Sequence, residues 1–479
     1  MKFGMGTSLA VILVLQTGCA SETVHYQPAE AITADQGLEP GYWLSDGYGY
    51  LLDTTREDVR FYHVAGASCV GVSAPGLTLT DLYDWRKVLE EGTRVSVWTD
   101  VEPHRVVYDR LEALPVGCVM EGEVQDFEAN FQAFVDYFSK HYTFFDLYDV
   151  DWESRVENGR QSLARVETEA QLFALFIEMV DGIEDAHLDL DATIDGERFR
   201  HTPGEGRTPL YIERHAGVIG TAADDAASFF NGYWSGTIRD EILNGEGGAS
   251  ANRRIQYGMA SESVGYIAML SVGLYASGDD IGAEDNLAAF TAEMDQALAS
   301  LKSNGAEALI LDLSVNFGGY DYISRAAARY FTTRPVEIYS KLALDADRLE
   351  SRTPYALSPT ELSFGGPVYV LTSDATVSGG ETLTLALRAI ETAHHYGEPT
   401  RGALSNKLEK TLPNGWSVSL SNEAYYDHEG ALWEGRGVPP TCPLPVFESE
   451  NPLASHRAAV SQLVEHANAG EACSLATAH

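Results

Sequence analysis

The chain has 479 residues, with 71 acidic against 32 basic side chains and a formal net charge of −39. Such a surface repels nucleic acid and anionic membranes, so partners are expected to be neutral or basic. The length allows large cores and more than one domain, and setting Cys19 apart leaves an even number of cysteines.

Residues 1–18 combine a positive start, a short apolar run and small residues before Cys19, the pattern of a secretion signal. The run is too short to span a bilayer. Thr17-Gly18-Cys19 resembles the lipobox of bacterial lipoproteins, although Gln16 departs from the usual aliphatic residue. The resemblance implies acylation at Cys19; simple cleavage and release is the alternative. Residues 19–39 read as a solvated tether, so the protein is expected in the cell envelope as a periplasmic or outer-membrane lipoprotein that meets the membrane only through its lipid. In that oxidising compartment Cys69, Cys118, Cys442 and Cys473 are expected to pair. Three connectivities exist; Cys69–Cys118 with Cys442–Cys473 keeps each bridge inside one expected unit.

Residues 40–122 alternate aromatic or β-branched residues with polar ones between Gly, Asp and Pro turns, as in Gly41-Tyr-Trp-Leu-Ser45 and Arg94-Val-Ser-Val-Trp98. This predicts a small antiparallel β domain. At residue 123 the period changes, because Phe127, Phe131, Phe134 and Phe138 recur at helical spacing, and a second helix is expected over Ala170–Val180. The helical subdomain extends to residue 195. Residues 196–255, rich in Gly, Asp, Asn and Arg, are expected as loops or a small cap.

From residue 256 to 449 strands and helices alternate. Ser263–Leu270 and Ala308–Ser314 read as strands, Asn286–Leu298 as an amphipathic helix, and residues 450–479 as a C-terminal helix and tail. Two strands end in glycine-bearing turns that open helices, one at Asn316-Phe-Gly-Gly319 and one at Val377-Ser-Gly-Gly380. Loops at the carboxyl ends of neighbouring strands are where open α/β sheets carry their sites. Ser378-Gly-Gly-Glu381 is, on its own, a helix capping box. It is not a G-x-S-x-G elbow, because Thr376 stands at the first glycine. Its hydroxyl nevertheless sits at the electropositive end of a helix, where free N–H groups can hold an oxyanion, and Gly379 and Gly380 leave room for a substrate backbone.

Four stretches in order resemble the carboxyl-terminal processing (tail-specific) serine peptidase family, in particular its tricorn-core-like Ser–His branch. They are Leu311-Asp-Leu-Ser-Val-Asn-Phe-Gly-Gly319, Thr376-Val-Ser-Gly-Gly-Glu381, Gly397-Glu-Pro-Thr-Arg-Gly402 and Trp433-Glu-Gly-Arg-Gly-Val-Pro-Pro440. The resemblance implies a mixed α/β (α+β) protein, with a crotonase-like ββα spiral as catalytic core behind the helical subdomain and the β domain. It also implies Ser378 as nucleophile and backbone N–H groups of Gly318 or Gly319 and of Gly379 as the oxyanion hole. The lysine of the family's Ser–Lys form is replaced by Ala403, and Lys407 and Lys410 lie in a polar stretch expected to be solvated. In the Ser–His form a histidine from a D-x-H segment serves as base, and Asp185-Ala186-His187 matches it. Glu434 matches the glutamate expected to orient that base, while Glu381 is expected to remain a helix-start carboxylate. His394 and His395 are expected to be exposed.

A serine hydroxyl needs a neighbouring base, and the base an orienting group, before it attacks an acyl carbon. Ser378, His187 and Glu434 supply those roles without a metal or cofactor, on a peptide or unfolded protein substrate. Two other readings stand beside it: a catalytically silent relative that binds apolar ligands or peptides, and a scaffold lipoprotein whose β domain does the work. No oligomeric state follows from the sequence.

Overall fold

The computed structural model describes residues 32–33, 38–215, 228–277, 282–343, 352–448 and 451–471. The expected leader, Cys19 and Cys473 therefore lie outside the described residues. The fold is mixed α/β, with a β domain ahead of a helical unit and a sheet-based core, as the sequence predicts.

The β domain is a nine-stranded sheet. Its neighbours pair antiparallel except Ser68–Val72 with Val119–Met120, which run parallel. Ile32–Thr33 already pairs with Trp85–Leu89, so part of the expected tether belongs to this sheet. The Cys69–Cys118 disulfide forms, with a Cα–Cα distance of 4.5 Å, and ties the two parallel strands at one end of the domain.

The helical unit comprises Phe127–His141, Trp152–Leu163 and Glu169–Val180. Asp126, Asp151 and Thr168 cap the three N-termini through side-chain oxygens, which satisfies amide groups the helices leave free. Phe131, Phe134 and Phe138 fall on one helical face and are fully buried, and Phe134 stacks on Phe176 at 4.2 Å. They share one core with Trp416, Val418 and Leu420, from a later part of the chain. That core forms because Asp189–Ile194 pairs with Ser417–Ser421 in a four-stranded sheet that also holds Glu197–His201 and Lys407–Thr411. The helical unit is thereby fastened to the core, with residue 187 two positions ahead of the paired strand. Residues 196–255, expected as loops, also contain strands Glu197–His201 and Gly248–Ala249 and a helix over Arg207–His215.

The core sheet has seven strands in the order Gly248–Ala249, Ile255–Met259, Val264–Met269, Ala308–Asp312, Val368–Thr372, Ala393–Gly397 and Cys442–Pro443. From Val264–Met269 onward all neighbours are parallel. Leu309 and Leu311 face one core, with helices Ala283–Ser303, Asp321–Arg329 and Gly379–Arg388. Ala308 and Ile310 face the other, against the C-terminal helix Pro452–Ala469. Burial on both faces explains why these strands read as apolar runs rather than alternations. The adjacent strands Ala308–Asp312 and Val368–Thr372 end side by side, and the bridges Val315↔Ala375 and Asn316↔Thr376 hold their two exit loops together.

Candidate active site

Ser378 stands between the second exit loop and the helix Gly379–Arg388, with φ 57° and ψ −121°. A side chain in that region is strained, and only a surrounding structure that over-determines the backbone keeps it there. The neighbouring glycines supply that constraint. A Cβ on Gly318 would fall 2.6 Å from the Ser378 Cβ, and one on Gly380 would fall 2.7 Å from Asn316 Oδ1. A Cβ on Gly379 would meet Val272 Cγ2 at 2.6 Å. The space at Gly379 and Gly380 is thus taken by the protein's own loops and not left for a substrate backbone, because the two exit loops interdigitate.

The expected capping box is present, and in it the Glu381 carboxylate accepts the Ser378 N–H at 3.1 Å. Glu381 does more than start a helix. It is fully buried and also accepts the Thr400 hydroxyl at 2.6 Å, the Gly402 N–H at 2.6 Å and the Ala403 N–H at 2.8 Å. Burial raises its pKa, and these donors oppose the rise. One carboxylate therefore staples the nucleophile turn to the loop Thr400–Ser405.

The first exit loop is fixed by Asn316, whose Nδ2 donates to the Met269 carbonyl at 2.8 Å and whose Oδ1 accepts the Gly318 N–H at 3.0 Å. The Gly318 N–H is thus occupied, whereas the Gly319 N–H makes no hydrogen bond among the described residues. Gly319, at φ 143°, has its nitrogen 3.0 Å from where a Cβ on Gly379 would stand. The Gly379 N–H is a first-turn amide without an intrahelical partner. The two free donors flank Ser378.

His187 and Glu434 reach the same loop from the other side. His187 is buried, its N–H donates to Asp185 Oδ1 at 2.8 Å, and its carbonyl accepts the Ser419 hydroxyl at 2.7 Å. Burial is the largest influence on the imidazole and Lys407 the next; together they lower its pKa to about 4, while Asp189 and the Ser405 backbone favour the charged form. Glu434 is buried, and its Oε2 accepts the N–H groups of Leu404 at 3.1 Å and Ser405 at 3.0 Å. Burial, then Asp185 and Glu381, hold its pKa well above the ordinary carboxylate range. No direct hydrogen bond joins His187 to Ser378 or to Glu434 among the described residues. Ser405 is the shared element, with its N–H on Glu434 and its backbone against the imidazole.

A second set of groups gathers behind the base. Tyr142 Oη, Asp185 Oδ2, His187 Nδ1, Ser421 Oγ and Glu434 Oε1 are buried, and none completes a hydrogen bond among the described residues. Burial raises Asp185, and the Tyr142 and Ser421 hydroxyls lie close enough to favour its ionised form. Among these, Tyr142, Ser421 and the pivot Ser405 carry no signal in the sequence; Asp185 has only its place two residues before His187.

Of the two lysines, Lys407 is exposed as expected, in an ion pair with Asp189, which also takes Arg200 at 2.8 Å. Lys410 is fully buried, donating to the Tyr48 carbonyl and to that of Gly49 at 3.3 Å, with Nζ 4.6 Å from the centre of the Tyr50 ring. The reason is tertiary: the β domain closes over this strand. His395, expected to be exposed, is buried with Nε2 2.7 Å from the Thr372 hydroxyl, on the parallel strand beside it. No group of three or more His, Cys, Asp or Glu among the described residues is arranged to hold a metal ion, and no described helix is long and apolar enough to cross a membrane.

Comparison with known proteins bears on this geometry. The profile of peptidase family S41 matches residues 263–444, which hold both exit loops, Ser378 and Glu434. A crystal structure from Parabacteroides merdae, described provisionally as that of a peptidase, is 19% identical over 71% of this chain and 96% of its own, with a TM-score of 0.53. Mature CPAF is 14% identical over 72% of this chain and 99% of its own, with a TM-score of 0.50. Both likenesses concern the fold. The tricorn protease aligns at 13% identity over 88% of this chain and 43% of its own, with a TM-score of 0.42.

Proposed function

We propose that the chain, whose residues 263–444 match the peptidase family S41 profile, is a serine peptidase that hydrolyses peptide bonds through Ser378, His187 and Glu434 by an acyl-enzyme route. The observation that carries this reading is the strained Ser378 between the free N–H groups of Gly319 and Gly379. Those two donors are placed to receive the oxygen of a tetrahedral intermediate, and Gly318 serves by approaching closely rather than by donating. A base of low pKa stays neutral at ordinary pH, so His187 can accept the Ser378 proton and return it to the leaving amine. A buried Glu434 is reluctant to ionise beside a neutral imidazole, and imidazolium formation shifts that balance toward the anion.

The substrate is a peptide or unfolded protein segment, cut internally or at a tail. Thr17-Gly18-Cys19 supports a lipid anchor at Cys19 and hence an envelope location, with no nucleic-acid partner for so acidic a surface. The deciding experiment is labelling of the full-length protein with a fluorophosphonate, followed by peptide mapping. Modification is expected at Ser378 and abolished in Ser378→Ala. A folded wild-type protein that resists the probe would instead fit the silent binding relative.

A further inference from the structure

We propose that Glu102 of the N-terminal β domain is a positioning residue for the oxyanion loop, acting through its ion pair with Arg325. The inference rests on the peptidase reading above and assigns the β domain a part in it.

The helix Asp321–Arg329 begins two residues after Gly319. Its inner face is clamped to the nucleophile helix. The Asp321 Oδ1 accepts the Thr382 hydroxyl at 2.9 Å, its Oδ2 accepts the Tyr425 hydroxyl, and the Ser324 hydroxyl donates to the Gly379 carbonyl at 2.7 Å. Arg325 stands one turn on from Asp321 and reaches the β domain. Its guanidinium donates to the Val101 carbonyl at 3.0 Å and to Glu102 Oε2 at 2.9 Å, and lies 4.8 Å from the centre of the Tyr355 ring. The other Glu102 oxygen accepts the Tyr355 hydroxyl at 2.7 Å and the His104 N–H at 3.1 Å.

The Arg325 side chain is only 9% exposed, so it needs an anionic partner where it stands. Glu102 is that partner. The remaining buried cation nearby, Lys341, has its own, Glu423, at 3.5 Å. Glu423 in turn accepts the Tyr48 hydroxyl at 2.6 Å, and Tyr48 lies 2.6 Å from His104 Nε2. The β domain is docked at further points beside this network, where Asn422 Nδ2 donates to the Gly47 carbonyl at 2.9 Å and Lys410 caps the carbonyls of Tyr48 and Gly49. It is therefore a fixed wall against which the Arg325 helix is braced. Without the Glu102 charge the guanidinium loses its ion pair and keeps only the Val101 carbonyl, the Tyr339 hydroxyl and the field of Asp321, so the brace on the helix that follows Gly319 weakens. An oxyanion donor works only while its N–H stays about 3 Å from the developing charge.

The test uses the full-length protein and one fluorogenic peptide. Glu102→Gln and Arg325→Gln are each expected to lower kcat by roughly 10- to 100-fold, the scale of an ångström's misplacement or a weakened oxyanion donor. KM should stay within about twofold, since ground-state binding is untouched. Fluorophosphonate labelling of Ser378 should slow in parallel, because the phosphonyl oxygen uses the same donors. The double variant should be no worse than the more damaged single, and Glu102→Asp should recover part of the rate. Asp136→Ala cuts another β-domain contact, the Ser68 hydroxyl at 2.7 Å, and is expected to lower Tm without lowering kcat. If Glu102→Gln and Glu102→Asp lower Tm but leave kcat and the labelling rate unchanged, the β domain is a structural prop only and the proposal falls. An unlabelled wild type would strike the peptidase reading itself, a distinct result.

Discussion

The site has two halves built on opposite lines. At the Ser378 corner the supporting polar groups are satisfied while the Gly319 and Gly379 N–H groups stay free among the described residues: Glu381 accepts four donors, Asn316 uses both ends of its amide, and glycines bring the two loops into contact. Around His187, five side chains from four parts of the chain each leave a buried polar atom without a hydrogen bond among the described residues. The contrast separates two tasks. In the proposed mechanism a rigid corner would fix attack geometry and the oxyanion donors, whereas His187 would change charge during turnover, and a polar cluster not yet saturated can respond to that change.

The largest effects should come from the atoms that move protons and bonds. Ser378→Ala and His187→Ala are each expected to lower kcat/KM by on the order of 10⁴-fold or more, with the double variant little worse than either, because the residues act as one unit. Circular dichroism should show native folding in all three. Full activity in folded His187→Ala would remove the base from the polar cluster.

Glu434→Gln should cost less, on the order of 10²-fold in kcat, because Glu434 reaches His187 through Ser405 and not directly. Its two backbone acceptor bonds are on Oε2 and can survive if the amide nitrogen takes the Oε1 position. A loss equal to that of His187→Ala would mean the carboxylate acts on the base directly.

The pH profile sharpens the comparison. The imidazole sits at about 4, so the acid limb of kcat/KM should lie well below the unperturbed histidine range near 6–7. Lys407→Met removes the second-largest cause of that lowering and frees the Asp189 charge, so the limb should move upward while activity at neutral pH persists. Abolished activity would point to a Ser–Lys base instead. The same shift has a sign for folding. An unfolded histidine takes its proton near pH 6.5 and the folded one only near 4, so this residue's contribution to stability declines as pH falls through that window.

What was legible in the sequence follows the same division. Both exit loops could be read because their causes are local: apolar runs that end in glycines, with a helix-forming stretch directly after. The β domain, the Phe-rich helices and the Cys69–Cys118 bridge were legible for the same reason. Burial of Lys410 was not, since it depends on carbonyls of Tyr48 and Gly49 more than three hundred residues away in the chain. Nor was the pairing of Asp189–Ile194 with Ser417–Ser421, which alone brings His187 to Ser405. Glu381 looked like a cap because its other three donors lie on a separate loop.

The smallest expected effect bears on the rigid half alone, and it is one of stability. Ser378 carries a Cβ at φ 57° and ψ −121°, a backbone region in which L side chains are strained by about 1–3 kcal/mol. Ser378→Ala keeps that Cβ and should melt close to the wild type. Ser378→Gly removes it, and after the added unfolded-state entropy of glycine, roughly 0.5–1 kcal/mol, a gain of about 1 kcal/mol should remain. For a protein of 479 residues a gain of about 1 kcal/mol shifts Tm by only about 1 °C, so the comparison requires both inactive variants side by side in the same calorimetric series. Gly318→Ala provides the converse, because its new Cβ would stand 2.6 Å from that of Ser378 and should destabilise a protein whose serine is intact. Combining the two substitutions tells strain from crowding: the cost of Gly318→Ala should shrink when Ser378 becomes glycine, as the clashing atom is gone. If Ser378→Gly melts no higher than Ser378→Ala, the turn holds no strain, and the rigid corner owes its geometry to the Glu381 and Asn316 hydrogen bonds alone.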